Sequence, residues 1–325
     1  MKLRLLLIVG IIQGVAFAGL IQETINFTEV DSLIVAAPPL PAIDNSPFLT
    51  PAGVGFDGVA GLIVHRSDGT FICTGSLIAP DWILTAGHCL ANNSGVNVTS
   101  SVDATFFPSG GGQITLTASG AANLQINPLY NGATISDNDL AMIHLPSAPA
   151  GVEVYSLYMG PPTNQPYTVV GYGQRGDGAN GEILPGGSRR RGFNTFDFFN
   201  SPGVLISDFD NGLAANDASC IVAGICNLGL GALESSTAHG DSGGPVFFGN
   251  QIVAITSFGA TAGNPPDIDS ALNSSFGEFN GFVSVGFNAR FIEADVSPEP
   301  GTWSLLLIGT GAILGFGIRS RRSRS

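Results

Sequence analysis

Short apolar runs, separated by stretches rich in glycine and proline, dominate the hydrophobic pattern of this chain. Runs of a few apolar residues bounded by turn residues are typical of buried β-strands. They predict strands at Val59–His65, Ile72–Ile78, Leu140–Leu145, Thr168–Tyr172, Pro245–Phe248, Ile252–Phe258 and Phe282–Phe287. With 45 glycines and 20 prolines among 325 residues, the pattern indicates an all-β protein with many turns.

The N-terminus has a different pattern. Lys2 and Arg4 precede an apolar stretch from Leu5 to Ile12, and Ala16-Phe17-Ala18 follows as a small-x-small site. This layout predicts a secretory signal peptide over residues 1–18, removed on export. Gly10 and Gly14 argue against a buried helix over the same residues 1–18.

The next segment is weakly patterned and becomes rich in proline from Pro38 to Pro51. We interpret residues 19–53 as a propeptide or linker.

Charge and cysteine content exclude some functions. Residues 19–318 contain six basic residues and all 25 acidic ones, so nucleic acid and anionic membrane surfaces are not expected partners. Four cysteines in an exported chain favour disulfides over metal ligation, and three pairings are open. The acidic segments Asp208–Gly212 and Asp267–Asp269 lack the ligand spacing of a defined calcium loop, so we interpret them as solvated turns. Structural calcium is the alternative for both segments, and no other metal or cofactor is predicted.

Gly240-Asp241-Ser242-Gly243-Gly244-Pro245 has the form of a serine nucleophile. A serine hydroxyl needs a base beside it and donors for the developing oxyanion. The backbone N–H groups of Gly240 and Ser242 are the natural donors, and the glycines permit close approach of a carbonyl. An ordinary turn uses the same residue types, so other segments of the chain must distinguish a nucleophile from a turn.

Two upstream segments supply what the serine needs. Leu84-Thr85-Ala86-Gly87-His88-Cys89 carries a histidine, and Asp137-Asn138-Asp139 opens an apolar run. In this order the three segments resemble the chymotrypsin/trypsin-like serine proteases over roughly residues 54–292. That family has T-A-A-H-C, D-I-A-L and G-D-S-G-G-P, and here Gly87 replaces the second alanine.

The resemblance implies a catalytic triad. Ser242 is the nucleophile, His88 the general base, and Asp139 the residue that orients the histidine. Asp139 is preferred to Asp137 because it directly precedes the apolar strand. We interpret His65 and His144, which lie in apolar runs, as structural. His239 falls where the family has a residue at the rim of the substrate pocket.

It also implies a fold of two six-stranded antiparallel β-barrels, with the active site in the cleft between them and a short C-terminal helix. The barrels would span residues 54–149 and 167–292 of a protease domain covering 54–296, and we expect a monomer. The family pattern favours disulfides Cys73–Cys89 and Cys220–Cys226. A zinc site of Cys73, Cys89 and His88 is the alternative for the first pair.

The same comparison gives pocket and activation residues. The sixth residue before the nucleophile is Ser236, at the pocket floor, and Ser257-Phe258-Gly259 would form the wall and pair with an extended substrate. A serine floor leaves a basic substrate side chain without its charge partner, so we expect cleavage after uncharged, apolar residues.

Activation departs from the family pattern. Asp241 would accept a new N-terminal ammonium, yet no basic residue precedes Gly53–Val54. Either that bond is cut by another protease or something else neutralises Asp241.

The C-terminus carries a second targeting pattern, in addition to the N-terminal signal peptide. Ser297-Pro298-Glu299-Pro300 leads into an apolar stretch over residues 303–318 and then four arginines. This layout resembles the PEP-CTERM sorting signal of Gram-negative bacteria, in which an exosortase is thought to recognise Pro298, Glu299 and Pro300 and remove residues 297–325. A permanent transmembrane anchor is the alternative. Both interpretations put the domain in the periplasm, on the cell surface or in the extracellular matrix.

The predicted function is therefore a secreted or surface-sorted serine endopeptidase that acts on protein or peptide substrates. Two alternatives use the same sequence features. One is a catalytically silent surface or matrix binding protein on a protease fold, and the other is an esterase with the same triad.

Overall fold

The structure is a computed structural model, and it describes residues 13–16, 19–20, 34–39 and 48–296. Its helices are α1 (Gly87–Leu90), α2 (Ala218–Ala223) and α3 (Ala289–Val296), with a 3₁₀ turn at Gly231–Leu233. Its strands are β1 (Gln13–Ala16), β2 (Gly19–Leu20), β3 (Ile34–Ala36), β4 (Val59–Arg66), β5 (Gly69–Ala79), β6 (Trp82–Thr85), β7 (Thr99–Phe106), β8 (Ile114–Ser119), β9 (Leu124–Ile126), β10 (Ala141–His144), β11 (Ser156–Leu157), β12 (Pro166–Gly171), β13 (Arg175–Asp177), β14 (Gly181–Leu184), β15 (Arg190–Thr195), β16 (Phe198–Ser201), β17 (Val204–Asp208), β18 (Ser235–Ser236), β19 (Pro245–Phe248), β20 (Gln251–Thr261) and β21 (Phe279–Ser284).

All seven predicted strands are present, with shifted ends. The largest shift is in the last one, predicted at Phe282–Phe287 and observed at Phe279–Ser284. Residues 285–288 form a turn instead, and α3 follows it directly. The apolar run continues through that turn, so hydrophobicity alone does not mark the end of the strand.

The first barrel is a curled antiparallel sheet in the order β8-β7-β4-β5-β6-β10-β9. Its longest pairing joins β4 to β5 from Val59↔Ser76 to Arg66↔Gly69. Side chains that alternate toward the interior form the core. Fully buried examples are Leu62, Val64, Ile83, Val102 and Ile143.

The second barrel follows the order β15-β12-β19-β20-β21-β17-β16. Aromatic rings fill its centre: Tyr167 lies 4.6 Å from Phe196 and 5.4 Å from Phe282, measured between ring centroids. Each main order contains seven strands, and β1, β11 and β2 pair with these sheets outside the main orders. The predicted pair of antiparallel β-barrels is therefore confirmed, with seven strands rather than six in each main order.

Part of the predicted linker belongs to the fold. Ile34-Val35-Ala36 forms β3, which is completely buried and pairs with β13 and β18 in a small four-stranded sheet. These three apolar residues lie between the edges of β13 and β18. A run this short has no visible periodicity, so the sequence pattern does not predict the strand. Further upstream, β1 pairs with β20 and β2 pairs with β5.

The chain divides into two compact units, residues 1–289 and 290–325, and both barrels belong to the first. The predicted short C-terminal helix is present as α3. The sorting signal and the apolar stretch 303–318 lie outside the described residues, so the predicted transmembrane segment stays a prediction. In the part of the chain that the structure describes, no helix has the length and apolarity needed to cross a bilayer.

Candidate active site

Three side chains meet in one hydrogen-bonded row between the barrels. His88 Nε2 lies 2.8 Å from Ser242 Oγ, and His88 Nδ1 lies 2.7 Å from Asp139 Oδ2. Exposure is 6 % for His88, 1 % for Asp139 and 0 % for Ser242. This is the geometry in which a serine hydroxyl gives its proton to a base that a carboxylate orients.

Neighbouring strands of the first barrel bring His88 and Asp139 together. The strand β6 ends at Thr85, just before α1 carries His88, and β10 begins just after Asp139. Because Thr85 pairs with Ala141 across β6 and β10, the two functional residues extend from the same edge. Asp139 Oδ1 also accepts the backbone N–H of His88 at 2.7 Å, which fixes the carboxylate against the helix.

The close packing around position 87 explains why this chain has glycine where the family has alanine. A Cβ at this position would lie 3.0 Å from Tyr130 Cδ1 and 3.1 Å from Asp139 Oδ1. Both distances are tighter than ordinary contacts between a Cβ and its neighbours. The glycine therefore leaves room for this placement of the Asp139 carboxylate.

The Ser257 side chain contacts the triad, and the predicted pocket wall Ser257-Phe258-Gly259 stays a prediction. The Ser257 hydroxyl donates to Asp139 Oδ2 at 2.5 Å. The next residue, Phe258, lines an apolar pocket together with Val222 and Phe279. The pairing of β20 with β21 shifts register between Thr256 and Phe258, so regular alternation of side chains does not apply at Ser257.

Two backbone donors lie beside the nucleophile. Among the described residues, neither the Gly240 N–H nor the Ser242 N–H has a hydrogen-bond acceptor. Thr74 turns their carbonyls away, since its hydroxyl donates to Gly240 O at 2.9 Å and its N–H donates to Ser242 O at 2.8 Å. Gly240 has φ = +103°, which favours glycine. Both donors are thus free for a developing oxyanion.

Asp241 is fully buried and satisfied by amides. Its two oxygens accept the N–H groups of Gly173 at 2.8 Å and Ala238 at 2.9 Å. Burial raises the pKa of Asp241 to about 7, although these hydrogen bonds lower it. Two backbone amides, rather than an ammonium group, are its partners in this chain.

The predicted activation point lies against a different carboxylate. The Gly53 N–H donates to both oxygens of Asp57 at 3.0 Å, and Asp57 forms an ion pair with Arg189 at 2.9 Å. Val54, the next residue, is 47 % exposed. In the uncut chain this segment therefore has its own anchor, and both predicted alternatives for Asp241 stay predictions.

Sequence reasoning missed a residue next to the predicted pocket floor. Asn280 Oδ1 accepts three hydrogen bonds of 2.8 Å, from Ser236 Oγ and from the N–H and hydroxyl of Thr237. The Asn280 Nδ2 group is buried and has no acceptor among the described residues. Asn280 pairs with Gly259 across β20 and β21, so only strand register reveals it.

His239 pairs with a carboxylate that the sequence did not point to. Its Nδ1 lies 2.7 Å from Glu182 Oε2, and its N–H donates to Glu182 Oε1 at 3.0 Å. Burial lowers the pKa of His239, but the hydrogen bond and charge of Glu182 outweigh it and raise the pKa above the ordinary value. One quarter of the His239 side chain remains exposed, as expected at a pocket rim.

The other candidates have structural contacts. Asp137 accepts the hydroxyl of Ser201 and the N–H of Gly203, so it bridges to the second barrel rather than lying in a solvated turn. His65 and His144 each pair with an aspartate outside the triad.

Both disulfides implied by the resemblance are present. Cys73–Cys89 joins β5 to α1, and Cys220–Cys226 closes the loop after α2. The sulfur atoms of Cys73 and Cys89 are bonded to each other, which removes the thiolates that the alternative zinc site requires.

Comparison with known proteins agrees with this geometry. The trypsin family model matches residues 57–189. Brachyurin from Leptuca pugilator is 30 % identical over 212 residues, covering 60 % of this chain and 79 % of that protein. The chain belongs to the trypsin family of serine proteases. Human chymotrypsin-like elastase family member 3B is 33 % identical over 119 residues, but the match spans only 43 % of that protein and 34 % of this chain.

A solved structure supports the fold. A structure titled as HL collagenase matches with a TM-score of 0.51 at 20 % identity, covering 75 % of this chain and 95 % of the other. A second family model, the PEP-CTERM protein-sorting motif, matches residues 298–322. The chain is thus a trypsin-like protease with a sorting motif that indicates export and surface sorting.

The hydrogen bonds around Asp139 generate a graded prediction. Asp139→Asn removes the charge that orients His88, and kcat should fall about 10⁴-fold. Ser257→Ala removes one hydrogen bond to the same carboxylate and should lower kcat about ten- to a hundredfold. Steady-state hydrolysis of a peptide reporter measures both, with Ser201→Ala as a control that alters a carboxylate contact outside the triad. Equal losses for Ser257→Ala and Asp139→Asn would contradict this order.

Proposed function

We propose that this protein is an exported serine endopeptidase that uses Ser242, His88 and Asp139. The observation that carries the proposal is the unbroken row of hydrogen bonds from Ser242 Oγ through His88 to Asp139. Ser242 attacks the carbonyl carbon of the scissile peptide bond while His88 takes the hydroxyl proton. Asp139 keeps the imidazole in the required tautomer and stabilises its cationic form.

The oxyanion is stabilised by Gly240 and Ser242 N–H groups, which have no competing acceptor among the described residues. His88 then protonates the leaving amine, the C–N bond breaks, and an acyl-enzyme remains on Ser242. A water molecule, deprotonated by His88, attacks this ester and releases the acid product and free Ser242.

The substrate is a polypeptide cleaved after an uncharged side chain. Ser236, Thr237 and Asn280 supply hydroxyls and an amide but no carboxylate near the pocket floor. Glu182, which Ser274 links to the Thr237 carbonyl, is already paired with His239, so a cationic side chain would lose water there without gaining an unengaged opposite charge. Phe258 provides apolar surface nearby, and Gly259 backbone pairs with an extended substrate.

The chain organisation completes the proposal. Residues 1–18 direct export, residues 19–53 form a propeptide or linker that contributes β3, and residues 54–296 form a monomeric protease domain. Pro298, Glu299 and Pro300 are read by an exosortase-type enzyme, which processes residues 297–325. Membrane contact is then limited to the unprocessed C-terminal segment, and no cofactor takes part.

Labelling with a fluorophosphonate tests the triad directly. Modification of Ser242, mapped by mass spectrometry and abolished in His88→Ala, is the expected result because only an activated serine reacts rapidly. Absence of labelling in the folded, exported protein would favour a catalytically silent binding protein. Hydrolysis of small esters without hydrolysis of peptides would favour the esterase.

Pocket chemistry gives a second prediction. Asn280→Asp places a carboxylate beside Ser236, so the ratio of kcat/KM for Arg over Leu reporters should rise by about tenfold or more. Asn280→Ala is the matched control, since it removes the amide without adding charge. Efficient cleavage by the unmodified enzyme after Arg or Lys, with little after Leu or Phe, would overturn the assignment.

A further inference from the structure

Five carboxylates lie together inside the second barrel without a cationic partner. Each is at most 5 % exposed, and none forms an ion pair with a basic side chain within the described residues: Asp197, Asp208, Asp210, Asp217 and Glu234. Burial of a charge is expensive unless an opposite charge or enough hydrogen-bond donors compensate it.

Most of these groups have backbone donors, but one has none. Asp208 accepts the Ser219 N–H at 2.7 Å, and Asp217 accepts the Cys220 N–H at 2.7 Å. Asp210 is 1 % exposed, and neither of its side-chain oxygens has a hydrogen-bond partner in the described part of the chain. Carboxylate oxygens of Asp208, Asp210 and Asp217 all lie within 4.8 Å of one another. The Asp210 carboxylate, which lacks hydrogen-bond donors, therefore faces the carboxylates of Asp208 and Asp217.

The other acidic turn lacks this feature. Asp267 Oδ2 accepts the Thr261 hydroxyl at 2.6 Å, and its Oδ1 accepts the N–H groups of Asp269 and Ser270. Protein donors therefore satisfy both oxygens, as in an ordinary turn.

We propose that Asp208, Asp210 and Asp217 bind a calcium ion that joins the end of β17 to the N-terminus of α2. Calcium takes six to eight oxygen ligands at about 2.3–2.6 Å, so ligands on opposite sides of the ion are separated by no more than about twice that distance. All three ligands are carboxylates, and the nearby Cys220 and Cys226 are held in a disulfide, which disfavours soft metals.

The electrostatics agree with this geometry. Burial, together with the charges of Glu234, Asp217 and Asp197, raises the pKa of Asp210 to about 8. A divalent cation would offset this repulsion. Asp210 also borders a surface pocket with Asn211 and Phe276, which gives an ion a route inward.

Calcium titration of the full exported protein tests the site. In excess calcium over EGTA, Tm should rise on the order of 5–10 °C, and isothermal calorimetry should detect one site. Asp210→Asn should weaken calcium binding at least about tenfold, whereas its Tm in EGTA should equal or exceed that of the parent because a buried like charge is gone. Asp208→Asn repeats the test with another ligand.

Asp269→Asn is the matched control, because it alters the other acidic turn and should leave binding unchanged. An unmodified protein that binds no calcium at millimolar concentration would overturn the proposal. Undiminished binding in Asp210→Asn would do the same.

Discussion

The active site depends on one buried residue, Thr74, because the nucleophile and its base belong to different barrels. Thr74 is 0 % exposed, and all of its polar atoms are engaged: its N–H on Ser242, its hydroxyl on Gly240, and its carbonyl on Thr85. The hydroxyl also accepts the Tyr172 N–H at 3.0 Å. A strand of the first barrel thus fixes the nucleophile loop of the second. Without the hydrogen bonds of Thr74, the 2.8 Å contact between Ser242 and His88 would have no rigid support.

Buried aspartates in this protein are compensated in different ways, and each way suits a different task. Asp139 has a histidine and a serine hydroxyl, so it can support a cation that forms and disappears during a reaction. Asp241 has two backbone amides, which hold the loop but cannot move a proton. Asp210 has no hydrogen-bond donor among the residues that the structure describes. Since an uncompensated buried carboxylate is strongly unfavourable, the last case points to a ligand rather than to an internal contact.

Much of the fold and the triad could be predicted from the sequence, because both leave local signals. Strands leave apolar runs, and His88, Asp139 and Ser242 lie in short motifs. The residues that escaped prediction act across long separations. Ser257 contacts Asp139 from 118 residues away. Asn280 reaches Ser236 only through the register of β20 and β21. Asp210 looks like a turn residue until its burial is known. Tertiary packing, which no local pattern encodes, decides all three.

Helix α2 connects the buried carboxylate cluster to the apolar pocket that Phe258 lines. Asp217 caps α2 by accepting the Cys220 N–H, and Val222 from the same helix lines the apolar pocket with Phe258. Phe258 in turn follows Ser257, which binds Asp139. A change in charge at the start of α2 would therefore first alter the apolar pocket that Val222 and Phe258 line. If the proposed calcium ion alters this pocket and leaves the hydrogen bonds of His88 intact, KM should change more than kcat.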